Sequence, residues 1–235
     1  MDPTKTISVV VPTLNEEGRV GACLASIGVY PTVEIVVSDG GSTDRTREIV
    51  RDLRPDASIV VGSAGRGGQL NRGAAEASAD RLLFLHADCM LPDGWFDATM
   101  ATLDDDAVSL AVFRLHTIPT DGREPGTWRR SWLQLFDLRS KGWGLPYGDQ
   151  GFAMRRVVFD TLGGFPDIPL MEDFAFARRC RRRGGIRRIP LTIQTTARRF
   201  EGRAVRSRVI LATFPTLFRL GFSPQTLARW YGLVR

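Results

Sequence analysis

Four short apolar runs, each followed by a stretch with helical spacing, leave this chain few ways to fold. Residues 7–11, ISVVV, are almost uniformly β-branched, as in a strand covered on both faces. Pro12 is read as the end of that strand. Val20, Leu24 and Ile27 then recur at i, i+4 and i+7, which is one face of a helix. The pattern repeats. EIVVS (34–38) reads as a second strand and STDRTREIVRDL (42–53) as a helix capped by Ser42 or Thr43. SIVV (58–61) is a third strand, a Gly-rich turn leads into a helix through GQLNRGAAEASA, and LLFLH (82–86) is a fourth strand. Such alternation predicts an α/β fold, with parallel strands joined by right-handed crossovers.

Beyond residue 90 the alternation loosens. Pro92 is read as opening a helix that carries Trp95, Phe96, Met100 and Leu103, and AVSLAVFRLH (107–116) as a further strand. TDGREPG (120–126) reads as a loop and TWRRSWLQLFDLRS (127–140) as an aromatic amphipathic helix. Trp128, Trp132, Phe136 and Trp143 suit core packing better than a sugar platform. One domain is expected over residues 1–203, with a helical extension over 204–235 packed on it.

Parallel α/β sheets bind ligands beyond the carboxyl ends of their strands. Four loops should open there: PTLNEE (12–17), SDGGSTD (38–44), GSAGRGGQLNRG (62–73) and HADCMLP (86–92). They carry Asn15, Glu16, Asp39, Arg66, Asn71, His86 and Asp88, with glycines that allow a ligand close to the backbone. If LLFLHAD is extended, His86 and Asp88 share one side of the strand and converge; a plain polar exit from the strand is the alternative. GxGxxG is missing after the first strand and GxxxxGK[ST] is missing throughout, which disfavours dinucleotide and P-loop binding. Further on, Glu172 and Asp173 stand at the head of a helix ending at Gly184-Gly185. On their own they read first as a capping pair. In LPYGDQGFAMRR (145–156), Gly148 and Gly151 flank Asp149 and Gln150 on a permissive loop.

Charge narrows the partners. The formal net charge is +6, and 30 of the 32 basic residues are arginine. Twelve arginines lie between Arg178 and Arg208 against one acid, Glu201, a density suited to phosphates, anionic head groups or nucleic acid. Three scattered cysteines without a CxxC pair argue for a reducing compartment and against a zinc site. No run reaches the roughly 18 apolar residues of a membrane span, and the start lacks a signal peptide. A cytoplasmic protein is expected, at most peripheral at the inner membrane face. The segment RVILATFPTLFRLGF (208–222) reads as an amphipathic surface helix or as core packing.

The ordered series VVVPTLNEE, IVVSDGGSTDRT, GRGGQLNRGAA, LLFLHAD and GGFPDIPLMEDFAFARRCRRRG resembles family 2 glycosyltransferases of the GT-A fold over roughly residues 5 to 200. The resemblance implies a mixed, mainly parallel sheet flanked by helices. It also implies an inverting, metal-dependent transfer from a UDP- or GDP-linked sugar to an acceptor hydroxyl, with a lipid-linked acceptor consistent with the tail. It places Pro12, Thr13, Leu14 and Glu16 beside base and ribose, Asp39 as acceptor for base or ribose, and Arg66 beside the nucleotide, with Asn71 supporting that loop. His86-Ala87-Asp88 stands where the family usually shows Asp-x-Asp. Asp88 is then the ligand for Mn2+ or Mg2+, with His86 near the donor. Asp173 matches the carboxylate that removes the acceptor proton, while Glu172, Asp149 and Gln150 would contact the acceptor. QxxRW, the mark of processive synthases, is missing, so transfer of a single sugar is expected, with no nucleic-acid partner. A sugar-phosphate nucleotidyltransferase and a non-catalytic nucleotide-sugar binder are the alternatives.

Overall fold

The computed structural model describes residues 6–118, 145–196 and 213–233. In chain order the elements are β1 (Ile7–Thr13), α1 (Val20–Ile27), β2 (Val33–Asp39), α2 (Thr46–Leu53), β3 (Ser58–Val61) and α3 (Arg66–Glu76). β4 (Arg81–Phe84), β5 (Cys89–Met90), α4 (Trp95–Leu103) and β6 (Val108–Ile118) follow. After these come β7 (Phe152–Arg155), α5 (Arg156–Thr161), α6 (Glu172–Arg183), β8 (Gly185–Thr196), α7 (213–219) and α8 (Pro224–Leu233). The loop expected over 120–126, the aromatic helix over 127–140 with its tryptophans, and Arg198 to Arg208 lie outside the described residues.

One eight-stranded sheet runs β3-β2-β1-β4-β7-β6-β8-β5. β1 pairs in parallel with β2 and β4, β2 with β3, and β6 with β8; β7 and β5 run antiparallel to their neighbours. The sheet is therefore mixed and mainly parallel, as expected. All four of the first strands point the same way, so their carboxyl-end loops share one edge.

The β-branched runs explain the layering. Along β1, Ile7, Val9 and Val11 enter one core while Val10 enters the other, and β2 and β4 alternate likewise. The first core takes α1 and α4, with Val50 of α2. The second takes α3, α5, α6 and, from the tail helices, Phe214 and Leu227. Each fully buried Val or Leu contributes about 1.5–3 kcal/mol, so sheet burial rather than helix propensity holds the strands.

Several boundaries differ from expectation. Pro12 does not end β1, which pairs with β2 as far as Thr13↔Asp39; pairing with β4 stops at Val10, where a missing N–H costs little. α2 starts at Thr46 rather than Ser42. The Ser42 hydroxyl is bonded to Asp39, and Asp44 instead takes the Thr46 N–H at 3.0 Å. α3 begins at Arg66, which puts that arginine on the helix rather than in the turn. β4 ends at Phe84, so His86 and Asp88 belong to a tight turn into β5 closed by Cys89 N–H to His86 O (3.0 Å) and not to an extended strand. The helix after Pro92 begins at Trp95.

Candidate active site

The loops after β1 and β2 are laced together. Asn15 N–H donates to Ser42 Oγ (2.9 Å), Thr43 N–H to Asn15 Oδ1 (2.9 Å), Glu16 N–H to Thr46 Oγ1 (2.7 Å) and Gly40 N–H to Thr13 O (2.8 Å). Asn15 takes a left-handed conformation, φ 53°, which asparagine tolerates better than most residues. Asp39 is fully buried beneath this lacing. Its carboxylate accepts from Thr13 Oγ1 (2.9 Å), Gly41 N (3.0 Å), Ser42 N (2.8 Å) and Ser42 Oγ (2.5 Å). Burial acts to raise its pKa, but the bonds from Ser42, Thr13 and Gly41 together outweigh it and hold the carboxyl below the ordinary aspartate range. A carboxylate has about four acceptor positions. Asp39 fills them within the protein, so it would meet a base or ribose only by exchanging one of those donors. Pro12 is half-buried and Leu14 exposed above it; Glu16 pairs with Arg19 at 3.4 Å.

Two residues of α3 that lie within GRGGQLNRGAA but are not among its candidate site residues complete this floor. Gln69 is buried and its Nε2 donates to Thr13 O (2.8 Å) and Ser38 O (3.1 Å), pinning the ends of β1 and β2. Arg72 donates to Asp39 O (3.4 Å) and Ser63 O (3.3 Å), with its guanidinium against Gly62. The available signal was positional. Gln69 is a polar residue in line with Leu70, Gly73 and Ala74, the face by which α3 packs on the sheet, and Gly73 allows Val10 to within 2.3 Å of where a Cβ would stand.

A second group forms where α3 meets α6. Asn71 clamps the backbone of Phe165, with Nδ2 to its carbonyl and its N–H to Oδ1, both 2.8 Å. Both ends of the Asn71 amide are thus bonded to the loop ahead of α6. Gly67 lets Pro166 O approach to 2.6 Å from a would-be Cβ. Met171, just before α6, is left-handed at φ 69°, a strained conformation for a long side chain that tends to mark functional sites. Behind it Glu172 is buried and meets the Arg66 guanidinium at 3.2 Å. Burial and then the neighbouring Asp173 carboxylate push the Glu172 carboxyl up, with Arg66 offsetting part of the rise.

Asp173 joins this group to the β4–β5 turn. Its Oδ2 accepts from Gly148 N–H (2.8 Å) and its Oδ1 from Phe174 N–H (2.6 Å). A Cβ on Gly148 would lie 2.8 Å from His86 Nε2 and 3.4 Å from Asp173 Oδ2, so glycine alone lets the imidazole and the carboxylate flank one backbone position. Gln150 is buried and structural, with Nε2 to Phe113 O and Oε1 accepting from Tyr147 N–H, both 3.1 Å. Asp149 is half-buried, and its carbonyl lies 3.5 Å from Cys89 Sγ, which also lies 3.8 Å from Asp88 Oδ1. His86, Asp88, Asp149 and Asp173 thus gather round the Gly148 turn. Among the described residues, no three His, Cys, Asp or Glu side chains could hold a metal by themselves. Asp88 therefore fits a hard cation only as one carboxylate beside ligand phosphates and water, a normal arrangement for magnesium.

With this geometry in place, comparison with known proteins decides the family. The family model described as glycosyl transferase family 2 matches residues 8–163, more than half of the chain. The chain belongs to glycosyl transferase family 2. Its reaction class is glycosyl transfer, which removes the nucleotidyltransferase alternative. A PGL/p-HBAD biosynthesis glycosyltransferase of Mycobacterium tuberculosis is 30% identical over 185 residues, covering 74% of this chain and 68% of that protein. Glucosyl-3-phosphoglycerate synthase of Mycolicibacterium smegmatis is 34% identical over 106 residues, covering 39% of this chain and 34% of that protein. The mannosyltransferase PcManGT from Pyrobaculum calidifontis, solved with GDP-Man and Mn2+, superposes with a TM-score of 0.66 at 24% identity, covering 95% of this chain and 68% of that one. TarS 1–349 of S. aureus, solved with UDP-GlcNAc, gives 0.64 at 19% identity, covering 96% and 71%. These likenesses establish the GT-A fold. In another structure of TarS 1–349, this chain spans 65% of that chain's length.

Proposed function

We propose that this chain transfers a single sugar, with inversion, from a UDP- or GDP-linked donor to an acceptor hydroxyl, Asp173 acting as general base. Residues 1–203 form the transferase domain in this reading and 204–235 its helical extension. The observation that carries it is the Gly148 turn, which holds the Asp173 carboxylate beside the His86–Asp88 turn at the carboxyl edge of the sheet. Two N–H donors orient that carboxylate, and the α6 N-terminus favours negative charge there. An acceptor hydroxyl is a poor nucleophile at neutral pH. Asp173 removes its proton as the oxygen attacks the anomeric carbon from the face opposite the departing nucleoside diphosphate, and the configuration inverts. Arg66 faces the diphosphate from α3, and Pro12, Thr13, Leu14 and Glu16 border base and ribose. Asp149 and Glu172 lie on the acceptor side, with Gln150 fixing the turn between them. Asp88 is the residue that would hold Mn2+ or Mg2+; such an ion, when bound, offsets charge on the leaving diphosphate. Mn2+ in the PcManGT and GalNAc-T7 structures supports a divalent metal in this reading.

The test is a donor screen. Wild-type protein incubated with UDP- and GDP-sugars and Mn2+ should release nucleoside diphosphate from one donor class. Chelation or Asp88→Ala should lower the release by at least about 10²-fold, given the several kcal/mol a metal supplies. Unchanged release after chelation would remove the metal from the account.

A further inference from the structure

We infer that the tail of this chain docks on the surface of an anionic phospholipid bilayer, beside the acceptor side of the active site. Among the described residues eight large apolar side chains are exposed, and three of them fall between 220 and 230: Leu220 (72%), Phe222 (41%) and Trp230 (37%). Phe222 and Trp230 touch, with ring centroids 5.9 Å apart, and Leu220 sits two residues away across Gly221, in the bend between α7 and α8. Basic residues stand on the helices that carry this apolar tip and on α6, against which those helices pack. Arg219 stacks over Phe174 at 5.1 Å and Arg178 over Phe218 at 5.8 Å. Arg182 lies one helical turn from Arg178 on α6, and Arg229 precedes Trp230. No acidic residue occurs from 202 to 235.

An apolar tip flanked in sequence by Arg219 and Arg229, on helices packed against the arginine-rich α6, matches a bilayer interface. There aromatics and leucine enter the headgroup boundary and guanidinium groups meet lipid phosphates. Charge alone would suit nucleic acid equally. Leu220 decides between them, because an exposed aliphatic side chain neither stacks on a base nor binds a phosphate. No described helix is long and apolar enough to cross a membrane, so the contact is a surface one. The position is informative. Phe174, on which Arg219 and Phe218 pack, is the residue whose N–H holds Asp173. A chain seated on this tip brings its proposed base to the lipid surface, where a lipid-linked hydroxyl acceptor would arrive. That last step rests on the glycosyl-transfer reading; the docking itself does not.

The full chain is floated with vesicles of phosphatidylcholine alone and of phosphatidylcholine mixed with phosphatidylglycerol, without donor or acceptor. Binding to the mixed vesicles only, weakened by salt, is expected. Leu220→Ser/Phe222→Ser should weaken it at least tenfold, and Arg229→Gln about fivefold, the effect of one basic residue near such a surface. Melting temperature and the donor-screen release are measured on both variants and should stay at wild-type values, which separates docking from folding and from catalysis. Failure to float with anionic vesicles overturns the inference. So does flotation unaltered by the double substitution, a serine-sensitive dimer in sedimentation, or tighter binding to a DNA oligonucleotide than to the vesicles.

Discussion

Gly148 is where the residue-level account is most exposed to test. A methyl there would stand 2.8 Å from His86 Nε2 and 3.0 Å from its Cε1, closer than packed carbon and nitrogen tolerate. Gly148→Ala must displace the imidazole, the turn or the Asp173 carboxylate. Overpacking of this kind costs about 1–3 kcal/mol, visible as a lower melting temperature, and nucleoside diphosphate release should fall at least about tenfold. Full release from a destabilised Gly148→Ala protein would show that this contact lies outside the working site. Asp39 gives a prediction in pH. Its pKa is held down in the folded state, so its contribution is present above the unfolded value, about 3.9, and is lost as pH falls through the folded one. Asp39→Asn should therefore melt below wild type at neutral pH, with the gap steady down to about pH 5 and narrowing only as pH falls below the unfolded value towards the lowered folded one. A gap independent of pH would mean that the charge of Asp39 does not hold the loop.

Among the elements, α3 does more than cover the sheet. It pins the β1 and β2 ends through Gln69, sends Arg66 to Glu172, and clamps the loop ahead of α6 through Asn71. Asn71→Ala leaves the Phe165 N–H and carbonyl without those partners. It should cost about 1–3 kcal/mol in denaturant unfolding and raise the donor KM, because Arg66 and Glu172 sit on the two elements it joins. An unfolding midpoint equal to wild type would contradict the clamp. Much at this scale was legible in sequence. EIVVS marks β2 because a buried parallel strand needs a run of apolar β-branched residues. SIVV marks the half-exposed edge strand β3 by the same β-branched residues, and Glu172-Asp173 mark the head of α6. The start of α2 was misread because the Ser42 hydroxyl has a second possible partner, Asp39, which spacing cannot reveal. His86 and Asp88 were grouped for a wrong reason, a strand that in fact stops at Phe84. They still gather at the site because the β4–β5 turn folds them under Gly148. Gln69 and Arg72 went unmarked since their partners are backbone carbonyls, and those carry no sequence signature.

For the whole molecule, the eight-stranded sheet separates two tasks. In the proposed reading the first four strands and their loops form the nucleotide side, while β7, α6 and the tail helices bring Asp173 and the arginines of α6 to the acceptor side. The central claim is that these halves meet at one base. Asp173→Asn keeps the shape and one of the two N–H bonds, from Gly148 or Phe174, while removing basicity, so with its melting temperature measured alongside it separates binding from chemistry. With the donor found by the screen, its Kd should stay within about twofold of wild type by calorimetry, while saturated turnover falls by about 10²–10⁴-fold, the usual contribution of a positioned base. Turnover within a few-fold of wild type at saturating donor would contradict the account and leave Asp173 as the cap of α6.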